Sequence, residues 1–233
     1  MAHGFWSQLF DLLFLLFKTA GIGLAIIFAL RLLLLLSRGL LPTPRDPRRT
    51  GEFGEKRVAE TLRCGLPDDC WLLNDIYLPL PDGTTTQIDH IVVSRFGVFV
   101  IETKAYSGWI FADERSAQWT QAFYRKKSRF QNPLRQNYLH IRTLAECLGI
   151  NDALFHSIVV FAGRCEFRTA MPAGVVYLPD LIDYIRSFDV PVLAPAHVEG
   201  IVDVIAGIHD GLDAERIANH VENLKKRHAH QER

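Results

Sequence analysis

Gln87-Ile-Asp-His-Ile-Val-Val-Ser-Arg-Phe-Gly-Val-Phe-Val-Ile-Glu-Thr-Lys104 is the stretch whose reading decides the fold. Two β-rich runs, Gln87–Ser94 and Gly97–Lys104, meet at Ser94-Arg95-Phe96-Gly97, which reads as a tight turn between antiparallel strands. Counting outward from that turn in equal steps sets Asp89 opposite Glu102. Residues so opposed have Cβ atoms about 4.5–5.5 Å apart. Lys104, two residues past Glu102, projects from the same face. The other members of that face, Ile91, Val93, Val98 and Val100, are apolar. Two acids and a lysine therefore stand at one end of a greasy face. The opposite face carries Ile88, Val92, Phe99 and Ile101, so both faces require cover, as in a layered α/β structure.

This constellation admits two readings. Opposed carboxylates repel unless something positive lies between them, and a hard cation such as Mg²⁺ takes carboxylate, carbonyl and water oxygens. Such an ion lowers the pKa of a bound water and stabilises charge on a scissile phosphate. Lys104 would orient or deprotonate that water, or neutralise the phosphate. The other reading is an ion pair at a sheet edge, Glu102–Lys104 or Asp89–Lys104, with no catalysis. Spacing alone leaves both open.

Working outward, residues 51–62 open a helix with Phe53, Val58, Ala59 and Leu62 near one stripe. Cys70–Leu78 reads as a strand, followed by a turn at Pro79–Thr84. Gly108–Phe111, Ser157–Ala162 and Val175–Leu178 are further strands, and Asn132–Leu148 is a helix. Helices at Leu181–Phe188, Pro195–His209 and Ala214–His228 follow. The pattern predicts an α/β fold with a mixed central sheet flanked by helices. The order is an anchor over 1–41, a basic Pro-rich linker over 42–50, the chemical domain over 51–162 and an α/β extension over 163–233.

Residues 5–41 are almost wholly apolar. Thr19–Leu36, interrupted only by Arg31, would span about 27 Å as a helix, close to the ~30 Å hydrocarbon core. Arg31 lies near the end of the span, where it can snorkel. No small-residue cleavage site follows the leucines, so an uncleaved transmembrane helix is expected. Arg38, Arg45, Arg48 and Arg49 follow the span and only Lys18 precedes it. That asymmetry predicts a single-pass protein in the lipid bilayer with its C-terminal domain cytoplasmic. With 26 basic and 26 acidic residues the chain is no polycation, so any nucleic-acid contact must be local. Four cysteines without CxxC spacing argue against a zinc site or a disulfide scaffold.

The motifs Gly51-Glu52-x-Gly54-Glu55, Gln87-Ile88-Asp89-His90, Ile101-Glu102-x-Lys104 and Asn132-Pro133-x-x-Gln136-Asn137 occur in this order. Together they resemble the nuclease-related (NERD) domain, a family similar to the PD-(D/E)xK restriction-endonuclease-like fold. The likeness runs from about Gly51 to Leu148 and more loosely to Ala162. It implies a metal-dependent nuclease using Mg²⁺ or Mn²⁺ on nucleic acid, DNA ahead of RNA. Asp89, Glu102 and Lys104 would be the catalytic set. Glu55 is the acid that the first helix adds, and Thr103 would offer the metal only its carbonyl. The rival reading is a catalytically inactive, membrane-tethered module that binds nucleic acid or protein.

Other residues carry weaker signals. Arg125, Lys126, Lys127 and Arg129 lie among Phe123, Tyr124 and Phe130. They form either a phosphate- and base-gripping cluster or a solvated loop. Gln136 is site-facing by the resemblance and is counted with these four as a nucleic-acid contact, or is an ordinary helix-surface residue. His90 must point away from the Asp89 face, which favours a buried, hydrogen-bonded histidine. Trp109 and Trp119 are expected in the core. His140, His156, His197 and His209 show no ligand spacing and are taken as structural.

Overall fold

A computed structural model describes residues 47–212. The expected membrane helix and the helix over Ala214–His228 lie outside the described residues. Among the described residues no helix is long and apolar enough to cross a membrane.

Helix α1, Pro47–Gly65, begins inside the stretch read as linker. Proline fits a first helical turn, where its missing N–H is not needed. Strands β1 (Trp71–Pro79), β2 (Thr85–Ser94) and β3 (Gly97–Lys104) form an antiparallel meander. β4 (Gly108–Phe111), β5 (Gln118–Phe123) and β6 (Lys126–Gln131) form a second one. Helix α2, Pro133–Leu148, precedes β7 (Phe155–Phe161), β8 (Cys165–Phe167) and β9 (Val175–Tyr177). Helices α3 (Leu181–Arg186) and α4 (Pro195–Asp210) complete the described chain.

The strands make two mixed sheets where one was expected. The larger has the order β1-β2-β3-β7-β9, with β3-β7 and β7-β9 parallel. The smaller has the order β6-β5-β4-β8. Its β5–β6 hairpin occupies the segment read as a basic loop. Polar and charged residues fill β6 except for Phe130, so no run of apolar alternation announces it.

The large sheet is covered on both faces. One face, with Ile91, Val93, Val98 and Val100, packs against α2 and α4 through Ile141, Leu144, Val198, Ile201 and Ile205. The other, with Val92, Phe99 and Ile101, packs against α1 and α3 through Val58, Leu62, Leu181 and Ile185. A third cluster, holding Trp119, Phe130 and Phe161, lies under one face of the small sheet. β3 is thus the central strand of the large sheet, and its end is interior, not an edge.

Candidate active site

The β2–β3 turn falls where the sequence places it, with Ser94 paired to Gly97 and the ladder running in register to His90 and Ile101. It stops one pair short of Asp89 and Glu102. Glu102 instead pairs through its backbone with Val159 of β7, and Asp89 Oδ2 accepts the Thr103 N–H at 2.7 Å. The two acids therefore stand at the point where β2 and β3 part.

Glu102 is 2% exposed. The ion-pair reading put this carboxylate at a sheet edge, but the central position of β3 puts it inside the protein. A charge so placed needs partners. Lys104 Nζ donates to its Oε1, and His140 Nε2 lies 3.2 Å from its Oε2. His140 Nδ1 lies 3.1 Å from Thr86 Oγ1. One neutral tautomer serves both contacts, with Nε2–H donating to Glu102 and Nδ1 accepting the hydroxyl. Lys104 Nζ also donates to Gln136 Oε1 at 3.1 Å. Of the two readings left open for Gln136, the one facing the site is the one observed. His140, read as structural, is a neighbour of the site. Its signal was its place four residues after Gln136, on the same helix face.

The Asn-Pro-x-x-Gln-Asn motif builds this arrangement. The Asn132 side chain caps α2 at Leu134 N, and its amide donates to the carbonyls of Glu114 and Ser116. Asn137 is fully buried and donates to Val100 O and Ser157 Oγ, tying α2 across the β3–β7 seam. The Gly-Glu-x-Gly-Glu motif has an equally local cause. A Cβ on Gly54 would stand 2.7 Å from the Ala105 Cβ, so only glycine lets α1 approach the end of β3 this closely. Arg57 adds a hydrogen bond to Ala162 O at 2.6 Å. Glu55, the next residue after Gly54, is thereby brought among the charges of the site.

Electrostatics reveal a surplus of negative charge. Burial raises the Asp89 carboxyl well above the usual carboxylate range, and Glu102 and Glu55 add to the rise. Burial also raises Glu55, helped by Asp75 and Glu102. Glu102 goes the other way: burial disfavours its charge, but Lys104 and His140 outweigh it and lower the pKa. Burial works against the Lys104 ammonium, yet Glu102 holds its pKa above the ordinary lysine value. Asp75 is an acid that sequence reasoning missed. It falls opposite Asp89, between the pairs Asn74–His90 and Ile76–Ile88. Its φ is 55°, a left-handed conformation that aspartate tolerates, and Gln87 Nε2 donates to it at 3.1 Å. The signal was Asn74-Asp75 interrupting an otherwise β-rich run.

Hard divalent cations take oxygen donors. Asp89, Glu102, Glu55 and the Thr103 carbonyl fit one in donor chemistry, and the surplus charge fits it in sign. Both Glu102 oxygens already have partners, however. Among the described residues no group of three histidines, cysteines or acids is set to hold an ion. The Thr103 hydroxyl is buried and has no hydrogen-bond partner among the described residues.

Of the remaining candidates, His90 is buried against Asn74 Oδ1 at 2.7 Å, and burial lowers its pKa to about 4. Trp119 is in the core, but Trp109 is half exposed, contrary to expectation. Arg125 sits at the tip of the β5–β6 hairpin, with Lys126, Lys127 and Arg129 along β6, all exposed.

The model of the nuclease-related domain matches residues 50–162. An uncharacterized protein of Bacillus anthracis is 38% identical over 191 residues, covering 79% of this chain and 88% of that relative. The chain belongs to the nuclease-related domain family. All four family motifs fall within residues 50–162, and the likeness to the Bacillus protein extends beyond that segment. No solved structure matches the chain.

Proposed function

We propose that this nuclease-related protein hydrolyses phosphodiester bonds of DNA, or of RNA, with Mg²⁺ or Mn²⁺, while its apolar N-terminal segment anchors it in a bilayer. The observation that carries the reading is the surplus of carboxylates at the end of β3, where burial, Glu102 and Glu55 push up Asp89, and burial, Asp75 and Glu102 push up Glu55. A bound cation would lower the pKa of a water and neutralise charge on the scissile phosphate. Asp89, Glu102 and the Thr103 carbonyl are the groups that would hold it, with Glu55 on a second ion or its waters. Without metal, Glu102 holds the Lys104 pKa up against the effect of burial. This lysine would orient or activate the water, or neutralise a phosphate oxygen. Gln136, bonded to Lys104, sets the direction of the ammonium. Arg125, Lys126, Lys127 and Arg129 bind nucleic acid without joining the chemistry.

One observation favours the rival reading. Lys104 and His140 occupy both Glu102 oxygens, as they would in an inactive module that binds without cutting. A nicking assay separates the two. The full-length protein in mild detergent is given supercoiled DNA, or RNA, with Mn²⁺, Mg²⁺ or a chelator. Metal-dependent cleavage that disappears in Asp89→Asn supports the enzyme. Salt-sensitive binding with no cleavage supports the module. The basic flank after residue 36 supports a cytoplasmic domain. Protease added outside intact spheroplasts should leave residues 45–233 untouched, and their digestion would reverse the orientation.

A further inference from the structure

The described residues leave the second face of the small sheet uncovered, and its register decides what stands there. Trp109 pairs with Ala122, and Ala122 with Lys127. Phe111 pairs with Thr120, and Thr120 with Arg129. Paired residues share a face, so two rows cross β4, β5 and β6 side by side. Each row runs from an aromatic ring through a small residue to a cation. Trp109 is 50% and Phe111 38% exposed, and Lys127 and Arg129 are exposed. Between ring and cation lie the shorter side chains of Ala122, buried beneath its neighbours, and Thr120, partly buried, so ring and cation border a shallow trough about 10 Å across at two strand spacings. On the far side, Arg168 holds its guanidinium 5.0 Å above the Trp109 ring, steadied by Glu166 at 2.8 Å. A guanidinium plane is itself a surface on which bases stack.

We infer that this trough binds single-stranded nucleic acid, with bases on Trp109, Phe111 and the Arg168 plane and phosphates along Lys127 and Arg129. Rings two residues apart on one strand and cations in a parallel line match the alternation of base and phosphate. A duplex hides its base faces in its own stack, whereas a single strand offers them. The four basic residues first grouped by sequence thus divide. Lys127 and Arg129 line the trough, Lys126 alternates to the opposite face, and Arg125 marks the tip. The inference rests on the nucleic-acid reading above but not on cleavage.

Binding is therefore measured in chelator, by anisotropy of a labelled oligothymidylate and of a duplex of equal length, with the full-length protein in detergent. The expected results are preference for the single strand and loss of about fivefold affinity or more for each ring in Trp109→Ala and Phe111→Ala. Trp109→Phe should keep most of the affinity while losing the quenching of tryptophan emission that accompanies binding. Unchanged melting temperature certifies that the variants fold. Equal affinity of the double alanine variant and the wild type would overturn the proposal. So would Trp109 emission that responds to anionic lipid vesicles but not to the oligonucleotide. A nuclease-inactive protein that still shows the ring-dependent binding would leave the trough standing and remove only the chemistry.

Discussion

The two sheets handle charge in opposite ways. The large sheet is covered on both faces, and the acid it buries on its central strand is partnered on both oxygens, by Lys104 and His140. Among the described residues the small sheet is covered on one face only, and leaves Lys127 and Arg129 exposed beside exposed rings. A buried charge is costly to isolate, while an exposed one contributes little to stability and is free to meet a ligand. Substitutions should therefore be felt as stability and chemistry in the first sheet, and as affinity in the second.

The largest effect should come from Glu102→Ala. It would leave Lys104 and His140 facing a cavity where a carboxylate stood, so a loss of about 3 kcal/mol or more is expected in chemical denaturation. Metal-dependent cleavage should vanish with it. A variant as stable as the wild type would mean that the large sheet tolerates bare charge after all.

Asp89→Asn should separate chemistry from stability. Cleavage should fall at least ~100-fold, because an acid offered to the metal is gone. The melting temperature without metal should rise at neutral pH. The sign follows from the raised carboxyl pKa of Asp89. Ionising a group whose folded pKa lies above its unfolded value costs stability, and the cost is absent below the unfolded value near ~4. The gain from Asp89→Asn should thus fade as pH falls to that value. Glu102 has the opposite sign: its lowered pKa gives stability at neutral pH that is lost in acid. The Asp89→Asn curve should therefore meet wild type from above by about pH 4, whereas Glu102→Gln should still lie below wild type there and approach it only as the pH falls toward about 2.

Asp89→Ala combined with Lys104→Ala should cleave hardly worse than either single variant, since groups serving one transition state are non-additive. Kinetics in which the two losses multiply would show that the pair does not act as a unit.

The smallest effects belong to the small sheet. Replacing Arg125, Lys126, Lys127 and Arg129 by alanine should weaken binding without changing the melting temperature. Each phosphate no longer neutralised should lower the salt slope by about 0.7–0.9. Restoring Lys127 and Arg129 should recover more of the slope than restoring Arg125 and Lys126, as only the former line the trough. Equal recovery would return the cluster to a solvated arm.

Much of this was legible in the sequence because it is local. The turn at Ser94–Gly97 sets the β2–β3 register, and strand alternation puts Lys104 beside Glu102, since both depend only on neighbours along the chain. The helix over Pro133–Leu148 announces itself through its Asn132 cap and apolar stripe. The motifs carried the family because glycine at 54 and asparagines at 132 and 137 answer fixed backbone demands.

What only the tertiary structure decided depends on elements distant in sequence. That β3 is central, and Glu102 buried, follows from β7 pairing beside it more than fifty residues later, which no local pattern encodes. His140 meets Glu102 only because α2 lies across that seam. The β5–β6 hairpin carries a charged, exposed sequence that forms strands because β4 and the Trp119–Phe130 cluster hold it. Whether Trp109 faces core or solvent was likewise undecidable from alternation, because period two tells that faces differ and the packing of the sheet tells which one is covered.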